Sequence, residues 1–358
     1  MTASQPLVSV CVPTYNRAGL LSESLLTICR QSYAPIEIIV SDNGSTDETE
    51  RVCREFAHAD PRIRYFRQSR NWGAHFNYNF CFDQAQGDII CFFHDDDLYE
   101  PEIVSQGVRF LQEHPEVGLV SPDWNLVDSI GTLIGSREFA VEPVMPGLQY
   151  IDRTIRSGQS TVGCPGAMIR REALGEIRFD EAGPTGFGDF VVWFRLAERA
   201  AIGHIGRRLF SYRLHSGSLS RKTIGSIARD YHATLIQYCD EHLSHWPDHA
   251  AMVERWRTNI DRYLFWALAY EVGLHVRKGR SSSGTRRSGY CTVFDIADYR
   301  LTPEEFCDVL EQMHRYRTGL TQQAALVVIK ALLRTRITWP LGWVARYPAA
   351  LRGLLGLQ

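Results

Sequence analysis

Apolar residues in the first half of the chain fall in short blocks, each closed by polar, turn-forming residues. The blocks run from Leu7 to Val12, Ile36 to Val40, Ile63 to Phe66 and Ile89 to Phe93. Such unbroken runs predict strands buried on both faces. Helical spacing separates them, first with Leu20, Leu21, Leu25, Ile28 and Cys29 on one face, later from about Ala74 to Gln86. A β-α-β-α-β-α-β order predicts right-handed crossovers and an α/β fold with a mainly parallel sheet. Pro101 fits the first turn of the next helix. Further strands are expected at Val117 to Val120, Ala167 to Ile169, Ile202 to Ile205 and Leu209 to Arg213. Hairpin signals at Ser129-Ile130-Gly131 interrupt an irregular stretch from Asp123 to Gly147. Beyond Gly225 the period turns helical: about Ser226 to His242, Ala250 to Val276, Pro303 to Tyr316 and Thr321 to Arg334.

The polar residues at the strand ends carry the chemistry. Ile89 to Phe93 runs straight into His94-Asp95-Asp96-Asp97. In an open α/β sheet, ligands sit outside the carboxyl ends of the strands. Three carboxylates there repel one another, so a hard cation such as Mg²⁺ or Mn²⁺ suits them, and that ion suits a phosphate-bearing substrate. A solvated acidic turn is the plainer alternative. Ser45 and Glu48 read as a capping box for the helix after the second strand, and Asn43-Gly44 as a turn. Neither accounts for Asp42, which stands where a nucleotide base would lie. The glycine-rich stretch from Gly183 to Gly188 ends at Asp189, ahead of a mostly apolar helix, Phe190 to Ala197. Asp189 is read either as that helix's N-cap or as a working carboxylate. Arg213, Arg221 and Lys222 around His215 suggest an anion nearby.

Composition narrows the class. The chain has 358 residues and a formal charge of -2, enough for one large domain or two and against general nucleic-acid binding. Its nine cysteines are scattered without a C-x-x-C pair, which predicts reduced, mostly buried thiols in a cytoplasmic protein. No signal peptide, membrane-spanning run or internal repeat is expected.

Four motifs in order over roughly Leu7 to Ser220 resemble a family 2 glycosyltransferase with the GT-A (nucleotide-diphospho-sugar transferase) fold. The strand ending in Pro13-Thr14-Tyr15-Asn16-Arg17 is similar to the family's nucleotide loop. Asp42-Asn43-Gly44-Ser45 follows the second strand, and Asp42 is then the residue that reads a pyrimidine ring. Asn71-x-Gly73, with Asn77 and Asn79, leads through Ala85-x-Gly87 to the acidic triplet, which corresponds to the metal-binding D-x-D. Gly188-Asp189 with Trp193-x-Arg195-Leu196 matches the helix that begins with the catalytic base.

The resemblance implies an inverting, metal-dependent transfer. A UDP- or dTDP-linked sugar would pass to a hydroxyl of a saccharide or lipid-linked glycan in surface polysaccharide or glycoconjugate synthesis. Asp189 would act as base, and Asp96 and Asp97 would hold Mn²⁺ or Mg²⁺, with His215 as a further ligand. Asp95 would assist through ribose or water. Pro13 to Arg17, Asn43, Asn71, Gly73 and Arg213 would surround the nucleotide sugar. The chain departs from the family pattern in having His94 where many members have Asp, Gly188 where many have Glu, and Tyr78 where Arg is common.

A nucleotidyltransferase is a rival, but a basic glycine-rich loop after the first strand is lacking and Arg17 is the one base near it. A non-catalytic sugar-nucleotide-binding scaffold of the same fold is another. The expected domains are a catalytic one at 1–222, nucleotide half about 1–122 and acceptor half about 123–222, and a helical region at 223–358. A basic loop lies at 278–287. From Ala324 onward, Lys330, Arg334, Arg336, Arg346 and Arg352 alternate with leucines, while Trp339, Trp343 and Tyr347 suit a lipid headgroup boundary. That tail is read either as peripheral attachment to the inner face of the cytoplasmic membrane or as packing on the catalytic domain or a second subunit, which leaves a homo-oligomer open.

Overall fold

The computed structural model describes residues 5–182, 187–215, 217 and 224–261. The chain divides into two compact units, Met1–Arg221 with Ala233–Asn259, and Lys222–His232 with Ile260–Gln358. All that follows concerns the first, apart from the opening turns of its last helix. The expected helices at Pro303 to Tyr316 and Thr321 to Arg334, the loop at 278–287 and the tail from Ala324 lie outside the described residues.

The elements in chain order are β1 (Val8–Thr14), α1 (Ala18–Ile28), β2 (Ile36–Asp42), α2 (Thr49–Ala59), β3 (Ile63–Arg67), α3 (Ala74–Gln84), β4 (Ile89–Phe92), β5 (Leu98–Tyr99) and α4 (Ile103–Glu113). There follow β6 (Val117–Val127), β7 (Leu133–Arg137), β8 (Val144–Met145), α5 (Gly147–Ser157), β9 (Met168–Arg170), α6 (Arg171–Leu174), α7 (Gly188–Ala197), β10 (Ala201–Arg213) and α8 (Ile224–His245). One sheet runs β3-β2-β1-β4-β9-β6-β10-β5, with β7 on β6 and β8 on β10.

From β3 to β4 the strands are parallel, as the alternating pattern requires. Past β4 the sheet becomes mixed, because β9 inserts antiparallel to both β4 and β6. The expected strands at Ile202 to Ile205 and Leu209 to Arg213 are one strand, β10, whose register shifts between Ile205 and Phe210. Pro101 precedes its helix, which starts at Ile103 after the short strand β5.

Val8, Val10, Val12, Ile38 and Val40 are buried against Leu21, Leu25 and Ile28 of α1. Each such side chain contributes roughly 1.5–3 kcal/mol. A buried polar clasp sets where β4 begins. Ser9 Oγ donates to Glu37 at 2.6 Å and accepts from the backbone N–H of Gly87, while Glu37 also accepts from Arg64. Gly87 is required there, since a Cβ would lie 2.6 Å from the Leu7 carbonyl. With that turn pinned, β4 runs beside β1 and delivers the acidic triplet next to Thr14.

Seven cysteines among the described residues are free thiols, five of them buried.

Candidate active site

The loops leaving β1, β2 and β4 open at one edge of the sheet, where Thr14 pairs with Asp42 and Cys11 with Phe92. Asn16 takes a left-handed backbone (φ 52), which costs an L-residue energy unless it is held. It is held from both sides: its N–H donates to Ser45 Oγ at 2.9 Å, and its Oδ1 accepts from the Thr46 N–H at 2.7 Å. The capping box therefore does not form. Ser45 is spent on Asn16, α2 starts at Thr49, and the Asp47 carboxylate accepts the N–H groups of both Thr49 and Ala18. Tyr15 is left with an exposed ring.

Asp42 is fully buried at the end of β2. It accepts from the Ser45 N–H at 2.8 Å and the Tyr65 hydroxyl at 3.0 Å, with Arg67 Nε 3.5 Å away. Asn43, Asn71 and Gly73 clasp one another: Asn43 Nδ2 donates to Asn71 Oδ1 and to the Gly73 carbonyl, and its Oδ1 accepts from the Trp72 N–H. Asn77 and Asn79 act through α3. Asn77 exchanges hydrogen bonds with Ser41, and Asn79 does the same with the backbone of Phe179, which leads toward α7.

The triplet is almost wholly buried. Arg17 Nη1 reaches Asp95 Oδ1 at 2.8 Å and Asp96 Oδ2 at 2.6 Å, and His215 Nε2 lies 3.0 Å from the same Asp96 oxygen. Asp97 Oδ1 accepts from the Arg213 N–H at 2.8 Å, but its buried Oδ2 has no hydrogen-bond donor. Arg213 turns its guanidinium into the protein, to the Asp96 carbonyl, the Ser129 carbonyl and Glu23. The anion contact expected of it is thus taken up by neighbouring protein groups.

Burial, then the Asp96 charge, pushes Asp95 up to about 6 and Asp97 well above the usual range. Burial acts the same way on Asp96, yet His215, His94 and Arg17 outweigh it and hold Asp96 low. One guanidinium is too little charge for three buried carboxylates, and an orphaned oxygen points among them. His94, Asp96 and Asp97 each offer a ligand atom within 4.8 Å of the others. The carboxylate oxygens fit Mn²⁺ or Mg²⁺.

Asp189 sits in the first turn of α7, whose N-cap is Phe187, so the capping alternative for Asp189 is not what the structure contains. Asp189 is half-buried as a residue, and dense surrounding protein pushes its carboxyl up to about 6, against the pull of the Phe190 N–H. Tyr78 and Cys164 each lie within electrostatic reach of both Asp189 and the triplet. The fold thus brings together residues about ninety positions apart in sequence. The residues missed by sequence reasoning are Tyr65, Arg67, Glu23 and the Tyr78–His94 contact (3.0 Å). For the last of these the signal was present, since both positions depart from the family pattern.

Residues 9–178 match the family model for glycosyl transferase family 2. The chain carries a family 2 glycosyltransferase domain. It is 36% identical over 137 residues to a GalNAc(5)-diNAcBac-PP-undecaprenol beta-1,3-glucosyltransferase of Campylobacter jejuni, covering 38% of this chain and 42% of that one. It is 27% identical over 221 residues to the putative teichuronic acid biosynthesis glycosyltransferase TuaG of Bacillus subtilis, covering 62% and 84%. The match thus spans less than half the length of the Campylobacter relative. Among solved structures, S. aureus TarS 1-349 in complex with UDP-GlcNAc aligns with a TM-score of 0.56 at 16% identity, covering 88% of this chain and 83% of that one. The mannosyltransferase PcManGT of Pyrobaculum calidifontis, in complex with GDP-Man and Mn²⁺, aligns with a TM-score of 0.52 at 19% identity, covering 78% and 77%. The fold of the family 2 domain is GT-A.

Proposed function

We propose that this domain is an inverting glycosyltransferase. It moves a sugar from a nucleoside diphosphate, UDP or dTDP, to a hydroxyl of a saccharide or lipid-linked glycan in surface polysaccharide or glycoconjugate synthesis. The observation that carries the reading is Asp189 within electrostatic reach of the same two side chains, Tyr78 and Cys164, as a buried acidic cluster in which one guanidinium meets three carboxylates and one oxygen has no donor. The activities for which the relatives are named, and the nucleotide sugars bound by TarS and PcManGT, agree with it.

Asp96 and Asp97, with His215 at the edge, would hold the divalent ion, which supplies charge against the departing diphosphate. Asp42, fixed by Ser45 and Tyr65, and the exposed ring of Tyr15 frame the base pocket. Arg17 neutralises Asp95 and Asp96 while the donor enters. Asp189 accepts the acceptor hydroxyl's proton as that oxygen attacks the anomeric carbon, and a carboxylate titrating near 6 is ionised yet still basic at neutral pH. In this reading residues 1–222 are the catalytic domain. Residues 223–358 serve oligomerisation or contact with the inner face of the cytoplasmic membrane.

The test is release of nucleoside diphosphate from UDP-, dTDP- and GDP-sugars with Mn²⁺, alongside a thermal-shift screen of the same donors. A donor that raises Tm and turns over supports the reading. A donor that raises Tm with no turnover on any acceptor supports the scaffold instead.

A further inference from the structure

We propose that His94 is an imidazole ligand of the divalent ion, oriented by Tyr78 as a positioning residue, and that this nitrogen makes the site prefer Mn²⁺ over Mg²⁺. The inference rests on the metal-dependent reading above and names a residue and a selectivity which that reading leaves out.

Two side chains face each other with nothing to join them. His94 Nδ1 lies 3.6 Å from Asp97 Oδ2, too far for a hydrogen bond, and that oxygen is fully buried without a donor. The other ring nitrogen, Nε2, is 3.0 Å from the Tyr78 hydroxyl. When the phenol oxygen accepts the Nε2 proton, Nδ1 turns a lone pair toward the Asp97 lone pair, and a cation between them relieves the repulsion. In the other tautomer an Nδ1–H faces Asp97 across a gap it does not close. An ion satisfies both atoms at once, and a hydrogen bond to the distal nitrogen is how metal-binding histidines are usually oriented.

The support is rigid. The His94 N–H donates to the Tyr99 hydroxyl and the His94 carbonyl accepts from Ser24 Oγ at 2.9 Å, while Tyr99 stacks on Phe93 at 3.8 Å. Tyr78 stacks on Phe179 at 4.9 Å. The imidazole remains partly open, with 21% of its side chain exposed, so an ion has a way in. The choice of metal follows from the nitrogen. Mg²⁺ demands hard oxygen ligands in near-ideal octahedral geometry, whereas a transition ion accepts imidazole.

The experiment uses the full-length chain with Mn²⁺ and each of UDP, dTDP and GDP, read by electron spin echo envelope modulation for nitrogen bound to manganese. His215→Gln removes the neighbouring imidazole. Nitrogen modulation should persist in that variant and vanish when His94→Gln is added. His94→Gln should weaken Mn²⁺ by about 10–100-fold and Mg²⁺ much less, and Tyr78→Phe should weaken Mn²⁺ with the carboxylates untouched. Circular dichroism confirms that each variant is folded. Manganese bound without His94 nitrogen, or an unchanged Mn²⁺-to-Mg²⁺ ratio in His94→Gln, overturns the proposal alone. Wild-type protein that binds no Mn²⁺ with any nucleotide overturns the metal-dependent reading with it.

Discussion

Replacing Asp189 by Asn removes a proton acceptor at almost constant shape, and it separates two effects that share one cause. Protein around Asp189 raises its carboxyl from the ordinary 3.8 to about 6. One unit is worth 1.36 kcal/mol, so full burial of the charge would cost about 3 kcal/mol above pH 6; with water reaching part of the group, about 1–3 kcal/mol is expected. Because the folded pKa is raised, the favourable contribution is complete below about pH 4 and lost as pH rises through 6. Asn carries no charge and escapes that loss. Asp189→Asn should therefore approach wild type in Tm at about pH 3.5, gain on it from about pH 4 upward and exceed it most at about pH 7.5. Wild-type turnover should climb about tenfold per unit below pH 6 and level off above it, while the variant loses roughly 10²-fold or more with donor affinity kept. Donor binding by calorimetry, nucleoside diphosphate release and Tm across about pH 3.5 to 8 test this together. A variant less stable than wild type at pH 7.5, or one losing donor affinity in step with turnover, would refute the assignment.

Asp96→Ala should abolish transfer and the metal-dependent Tm shift by nucleotide while circular dichroism stays native; activity kept with Mn²⁺ present would show that the acidic triplet is not the metal site. Asp42→Ala should weaken donor binding and also lower stability by about 1–3 kcal/mol in denaturant titration, since it strands the Ser45 N–H and the Tyr65 hydroxyl. Gly87→Ala should cost about 2 kcal/mol or more, because its Cβ would meet the Leu7 carbonyl at 2.6 Å; an unchanged unfolding midpoint would count against the clasp that starts β4. With anionic liposomes at low salt, the full chain should float and a chain ended near Gly319 should not, and if both stay in the heavy fraction the tail is packing.

The four parallel strands and their loops were legible because unbroken apolar blocks and their polar ends are local properties of the chain. The same holds for the triplet after β4 and for Asp189 ahead of an apolar helix. Where those residues spend their bonds was not local. Ser45 looked like half of a capping box, but Asn16, twenty-nine residues earlier, claims its oxygen. Arg213 looked free to meet an anion, but Glu23, 190 residues away, meets it first. Arg17 reaches Asp95 and Asp96, and Tyr78 reaches His94, only because β1 lies beside β4 with α3 packed across them. Local pattern chooses strands and helices through backbone period and burial. Strand order then decides which side chains meet, so partners, orphaned oxygens and shifted proton affinities arise only once the sheet has formed.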